Sequence, residues 1–261
     1  MRALSTAATG MAAQQLNVEV ISNNIANLNT TGFKRQRAEF QDLLYQSERR
    51  VGSASSDQGT IVPTGVQVGI GVKAAAVYSI TEQGNLTNTS NPLDCAIQGN
   101  GYFQVEMPDG TTSYTRAGSF QLSPTGEIVT ADGLVVKPGL TVPQNTTTLT
   151  INASGQVLAT ISGQTQPTTV GQLELANFPN VAGLANSGNN LLTETPASGT
   201  PVTGVAGSTG FGTIQQGFLE TSNVNVVNEI TNLITAQRAY EMNSKVITVS
   251  DQMSSTLNNF R

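Results

Sequence analysis

The sequence predicts an α+β chain: paired N- and C-terminal α-helices, coiled-coil-like, with an inserted antiparallel all-β middle region. Three observations carry this. Apolar residues recur every seven positions at both ends, the spacing of a helix that packs lengthwise on another. From about 67 to 178 the apolar period falls to two, as in half-buried strands. Short turn signals ending in Gly punctuate that middle, with no helical stretch between them, which argues for a sandwich or barrel.

The first helix rests on Leu4, Met11, Val18 and Ile25, with Ala7, Ala8 and Ile21 in the intervening turns. The last rests on Val226, Leu233, Tyr240 and Ile247, supported by Ile230, Ala236 and Leu257. Neither stripe is strong. Gln14, Gln15 and Ser22, and later Gln237, Asn243, Ser244 and Ser250, stand where a stable two-stranded coil has Leu or Ile. Asn, Ser and Thr each lower helix propensity by roughly 0.5 kcal/mol relative to Ala. Alone, both helices should fray. They pair with each other as an antiparallel cap on a domain, or with copies of themselves.

The run ISNNIANLNTTGFKRQRAEF sharpens the end of the first helix. With Gly32 in the left-handed position, Leu28 and Phe33 become the touching residues of a Schellman motif, and the helix stops near Thr31. Phe33, Phe40 and Leu44 then suggest a second short helix whose other face carries Lys34, Arg35 and Glu39. Its basic trio, Lys34, Arg35 and Arg37, is either solvated or paired with acids on a neighbour. Residues 47–66 lose both periods and are rich in Ser and Gly. They read as a linker, or as a segment laid against something outside the monomer, since a loop this long is unusual in a compact domain.

In the middle, Phe103, Val105 and Met107 oppose Gln104 and Glu106, while Leu173 and Leu175 oppose Gln172 and Glu174. Turns fall at Pro108-Asp109-Gly110, Pro124-Thr125-Gly126, Ala131-Asp132-Gly133 and Ala153-Ser154-Gly155. The run GVQVGIGVK lacks the third Gly and the Gly-Lys-Ser/Thr of a phosphate loop, and reads as a strand with bends. Residues 180–216, rich in Gly, Ser, Thr and Asn, read as surface chain. The predicted division is therefore 1–46 with 217–261 as the helical assembly domain, 47–66 as an extended insert, 67–95 with 180–216 as a β or extended connecting region, and 96–179 as the β-rich outer domain.

Composition removes most catalytic chemistry. With no His and one Cys in 261 residues, Ser-His-Asp, Cys-His and Cys/His metal arrangements are impossible within the chain. Cys95, in the apolar run DCAIQG, reads as a packed thiol. Asp94, Glu106, Asp109, Glu127 and Asp132 remain as carboxylates, mostly at turns or on polar faces, where solvation is their ordinary role. No catalytic, cofactor-binding or metal-ligating residue is assigned. Residues 1–50 carry a net charge of +2 and residues 51–220 a net −7, far from the basic face of a nucleic-acid binder. No segment reaches the roughly 20 apolar residues of a membrane span, and no apolar signal-peptide stretch opens the chain.

Two terminal runs, ISNNIANLNTTGFKRQRAEFQDLLYQ and FLETSNVNVVNEITNLITAQRAYEMNSKVI, closely resemble the terminal signatures of the bacterial flagellar axial proteins, the rod and hook subunits. Between them, QGNLTNTSNPLDCAIQGNGYFQV and YTRAGSFQLSPTGEIVTADGLVV resemble that group's β-domain signature. The length, the DLLYQ sequence and the Ser/Gly-rich insert are most similar to the distal-rod branch. A hook or proximal-rod subunit is the nearest alternative, and a secreted β-rich adhesin is one of another class.

The resemblance implies a homopolymer exported unfolded through the flagellar type III apparatus without a cleaved signal. The shaft would meet proximal rod subunits, the hook or its junction, and the surrounding P-ring and L-ring. It implies an inner tube built from Leu4, Met11, Val18, Ile25, Val226, Ile230, Leu233, Tyr240 and Ile247. Asn23, Asn24, Asn27, Asn223, Asn225 and Asn243 are expected to fix register through hydrogen bonds. Leu28, Gly32, Phe33, Lys34, Arg35 and Arg37 complete the expected assembly surface, and residues 47–66 are expected to lie along neighbours and stiffen the shaft.

Overall fold

The computed structural model describes residues 2–49, 64–164 and 166–259; the centre of the predicted insert, 50–63, lies outside them. The chain forms two units. One comprises Met1–Ile25, Gln36–Tyr78 and Asn225–Arg261, and the other Ala26–Arg35 and Ser79–Val224.

The first unit is built on helix α1, Arg2–Ala26, and helix α2, Val226–Asn259. Gly10 faces Asn243, and the Asn24 amide reaches the Glu229 carboxylate. Fourteen residues forward along α1 thus match fourteen back along α2, so the helices run antiparallel over about 21 Å. Beside them, Gln36–Asp42 pairs with Val72–Ser79, and Tyr45–Arg49 pairs antiparallel with Val66–Gly69. The ends of the predicted insert are therefore zipped into a two-stranded ribbon. Thr9 ties α1 to the start of Val72–Ser79, its hydroxyl accepting from the Val72 N–H at 3.3 Å.

The short helix expected after Gly32 is instead the strand Gln36–Asp42. Gln36, Ala38 and Phe40 lie half-buried while Arg37, Glu39 and Gln41 are exposed, a period of two. Strand pairing with Val72–Ser79 outweighs a helical spacing that rested on only three apolar residues. Further along, GVQVGIGVK forms the strand Val66–Gly69 and the start of Val72–Ser79, bent at Gly71.

The second unit holds a nine-stranded sheet, a separate three-stranded meander and two two-stranded pairs, and its registered pairings are antiparallel. Tyr102–Glu106 is central: it pairs with Thr112–Thr115, Val135–Val136 and, at its start, Glu174–Asn177. Phe103, opposite Leu175, points into a large cluster with Ile97, Phe120, Ile128, Val157 and Ile214. Tyr102, opposite Ala176, points into a second cluster with Tyr114 and Phe178. Both faces of this strand are covered, so Gln104, expected on a polar face, is buried. The meander of Thr146–Ile151, Gln156–Ile161 and Thr168–Gln172 adds Ile151 and Val157 to the large cluster.

All four expected turns form. Gly110, Gly126, Gly133 and Gly155 each donate N–H to the carbonyl three residues back and each take positive φ, which is why Gly ends each signal. Residues 180–216, read from composition as surface chain and as a β or extended connection, are rich in strands. They supply the strands Ala185–Gly188, Leu191–Thr193, Val202–Val205 and Thr213–Gln216. Their small polar composition hides the period, and ladder hydrogen bonds to Thr112–Thr115, Glu174–Asn177 and Cys95–Gln98 specify them instead.

Candidate assembly surface

On α1 the fully buried line is Ala7, Ala13, Val20, Ile21 and Asn24. The predicted stripe of Leu4, Met11, Val18 and Ile25 lies beside it, half-buried. Gly10 permits a close approach to α2: a Cβ there would stand 2.9 Å from the Asn243 amide nitrogen. On α2, Val226, Leu233, Asn243 and Ile247 are half-buried, and Glu229 and Ala236 are buried between them. Covered positions on α2 thus recur at spacings of three and four. Tyr240 and Ile230, predicted on the same stripe, are 42% and 45% exposed. Side chains of 257–259, including Leu257, lie outside the described residues.

The seam is polar where its ends meet. Asn24, 1% exposed, donates to the Gln36 carbonyl at 2.8 Å and to Glu229 at 3.3 Å, and accepts from the Gln36 N–H at 2.8 Å. Asn225 caps α2, its side-chain oxygen accepting from the Asn228 N–H at 3.2 Å. Asn223 accepts from the Arg35 N–H at 2.7 Å and donates to the carbonyls of Ile80 and Glu82. Asn27 accepts from the Thr30 hydroxyl at 3.1 Å. These four amides answer groups of their own chain.

Helix α1 stops five residues before Thr31. The Thr30 N–H turns to the Asn27 carbonyl and the Phe33 N–H to the Thr30 carbonyl, so the expected Schellman bond from Phe33 to Leu28 is replaced by successive turns. Asn27, Asn29, Thr30 and Thr31 favour such local bonds over helix. Leu28 and Phe33 are half-buried. Gly32 is left-handed, at φ 69°. Its N–H donates to the Glu220 carbonyl at 2.8 Å, and a Cβ there would stand 2.8 Å from the Ala117 nitrogen.

A buried ionic cluster lies beside Gly32. Glu220, with no side-chain exposure, accepts from Arg116 Nε and Lys34 Nζ, each at 2.6 Å, and from the Gly84 N–H at 2.9 Å. Arg116 also donates to the carbonyls of Ile97, Gly99 and Gly101. Burial pushes the Glu220 carboxyl up, but Arg116 and Lys34 outweigh it and hold it below its ordinary value. Burial lowers Lys34 against the pull of Glu220. The expected solvated or intersubunit role thus fails for Lys34, because the strand entering α2 returns Glu220 to it. Arg35 is half-buried and Arg37 is exposed. Sequence reading missed Arg116, Glu220 and Glu229; isolated charges in a chain this poor in charge were the available signal.

A cleft of about 400 Å³ beside this cluster is lined by Lys34, Arg116, Gln83, Asn100, Tyr102 and a single acid, Glu82. It does not bring two carboxylates together. Cys95 is fully buried, and burial with the neighbouring Asp94 pushes its thiol up to about 12, as a packed thiol requires. Among the described residues, no helix is long and apolar enough to cross a membrane.

Three family models match the chain in order. Residues 4–34 match the flagella basal body rod protein family, 96–159 the flagellar hook protein FlgE/F/G D1 domain, and 215–260 the flagellar basal body rod FlgEFG protein C-terminal family. The flagellar basal-body rod protein FlgG of Caulobacter vibrioides is 63% identical over 97% of both chains. That of Agrobacterium fabrum is 55% identical over 98% of this chain and 97% of its own. That of Bacillus subtilis is 38% identical over 100% of this chain and 99% of its own.

Proposed function

The chain belongs to the family of flagellar basal-body rod proteins of the FlgG type, and from that premise we propose how it works as a structural subunit of the distal rod. It is not an enzyme. Copies stack by contacts that repeat without closing into a hollow, rigid helical shaft that transmits motor torque to the hook. Helices α1 and α2 pack as a coiled coil in the inner tube, through Leu4, Met11, Val18, Ile25, Val226, Ile230, Leu233, Tyr240 and Ile247. Asn23 and Asn243 fix register, with Arg35 and Arg37 as contacts between subunits. The ribbon ending at Arg49 and Val66 carries the insert along neighbouring copies and stiffens the shaft.

The shaft runs from the periplasm to the outer membrane, with proximal rod subunits at one end, the hook or its junction at the other, and the P-ring and L-ring around it. Subunits reach it unfolded through the type III export apparatus, without a cleaved signal. Ordering the weak terminal helices on neighbours couples folding to assembly.

The observation that carries this reading is the first unit itself. The two ends of the chain build one helical pair, yet α2 leaves Val227, Ile230, Ile234, Met242, Val246, Val249 and Met253 exposed, as a subunit awaiting neighbours would. Full-length similarity to rod proteins disfavours the hook, proximal-rod and adhesin readings. Removing residues 1–25, which leaves the second unit whole, should abolish polymers seen by electron microscopy while preserving the β-sheet circular dichroism signal. An unchanged polymer yield would overturn the inner-tube assignment.

A further inference from the structure

The cleft beside the ionic cluster lies wholly within the β-rich unit and holds hydrogen-bonding capacity that the fold does not use. A lysine has three N–H donors and an arginine five. Lys34 gives one to Glu220 and one to the Glu82 carbonyl. Arg116 gives four, to Glu220 and to the carbonyls of Ile97, Gly99 and Gly101. One N–H of each therefore has no acceptor among the described residues. Tyr102 is the sharper case. Its ring meets Phe178 edge-on, the Arg116 guanidinium carbon stands 5.9 Å from its centre, and only 5% of the residue is exposed. A phenol so deeply buried ordinarily finds a partner, yet the Tyr102 hydroxyl makes no hydrogen bond among the described residues. It is not sealed in either, so it opens on the cleft that Tyr102 lines.

The charge of this wall is set by what stands behind it. Lys34 and Arg116 line the cleft, while Glu220, the carboxylate they share, has no side-chain exposure and does not line it. Two cations against one acid leave a single unmatched positive charge. Glu82 stands exposed at the rim and repels anions, most strongly those of charge two. Phe178 and Val181 add an apolar wall, and a volume of about 400 Å³ is in the range of small-ligand sites. We propose that the cleft binds a small monocarboxylate with an apolar body. The carboxylate accepts from Lys34, Arg116 and the Tyr102 hydroxyl, and the body lies against Phe178 and Val181. The site stands whether or not the chain polymerises, since the helical unit contributes nothing to it.

The test is isothermal titration calorimetry of the full chain with N-benzoylglycine, which carries an aromatic ring, an amide and one carboxylate. It should bind saturably, one per chain. N-benzoylglycinamide, of the same shape but uncharged, should bind at least about tenfold more weakly, and inorganic phosphate should give no saturable heat. Tyr102→Phe keeps the ring against Phe178 and removes only the hydroxyl, so affinity should fall about tenfold with circular dichroism unchanged. Glu82→Gln, on an exposed side chain, should tighten binding by about threefold. Absence of saturable binding to the wild-type chain, equal binding of the amide, or phosphate binding as tightly as N-benzoylglycine would overturn the site. Unchanged affinity in a folded Tyr102→Phe chain would do the same.

Discussion

At the scale of single residues, Glu220 fastens distant segments of the second unit together. It joins the strand entering α2, the segment after α1 through Lys34, and the β-sheet through Arg116. Replacing it with Ala strands two buried cations, a loss of about 3–5 kcal/mol for a broken buried pair. Calorimetry should show that loss in the β-rich unit, and a change under about 1 kcal/mol would show the cluster to be dispensable. The pH dependence follows from the lowered carboxyl. A depressed acid contributes fully above its unfolded value, 4.5, and loses that contribution as pH falls through the folded one. Acid titration of wild type should therefore show a stability loss below about pH 4.5, attenuated in Glu220→Gln. The charges stood out in so charge-poor a sequence, but their partnership was not legible there. Lys34, Arg116 and Glu220 are separated by tens of residues, and nothing local marks them as partners.

At the scale of elements, the helices were legible in kind and imprecise in phase. The seven-residue spacing located both, and on α2 Val226, Leu233 and Ile247 are half-buried while Tyr240 is exposed. On α1 the buried line runs through Ala7 and Ala13 rather than Leu4 and Met11, small side chains that a search for large apolar residues passes over. Gly10 offers a test that separates contact from propensity. Gly→Leu in a free helix gains close to 1 kcal/mol of propensity. Here the added side chain meets Asn243, and overpacking costs about 1–3 kcal/mol. Gly10→Leu should thus lower the thermal midpoint followed by helical circular dichroism, and a raised midpoint would show that the helices do not meet there. The strand Gln36–Asp42 was misread because three apolar residues cannot distinguish helix from strand without knowledge of the pairing partner.

At the scale of the whole molecule, the order of helical end, β-rich middle and helical end was legible, since it is written in a change of period from seven to two and back. The allotment of segments between units was not. Residues 26–35 belong with the β-rich unit and 36–78 with the helical one, a partition set by contacts such as Gly32 to Glu220 that link distant positions. The ribbon below the insert has a mechanical consequence. Deleting residues 47–66 should leave assembly intact but make the shaft more bendable, and equal persistence lengths measured by electron microscopy would remove the stiffening role. The pairing of α1 with α2 also sets a clock. Asn24 and Glu229 lie 205 positions apart, and contacts of such long sequence separation form late and slowly. In a chain threaded out from its N-terminus, α1 would emerge first and wait for almost all the rest. The surface that recognises other copies would then be the last part of the molecule to exist, and a half-delivered chain could not enter the shaft and block it.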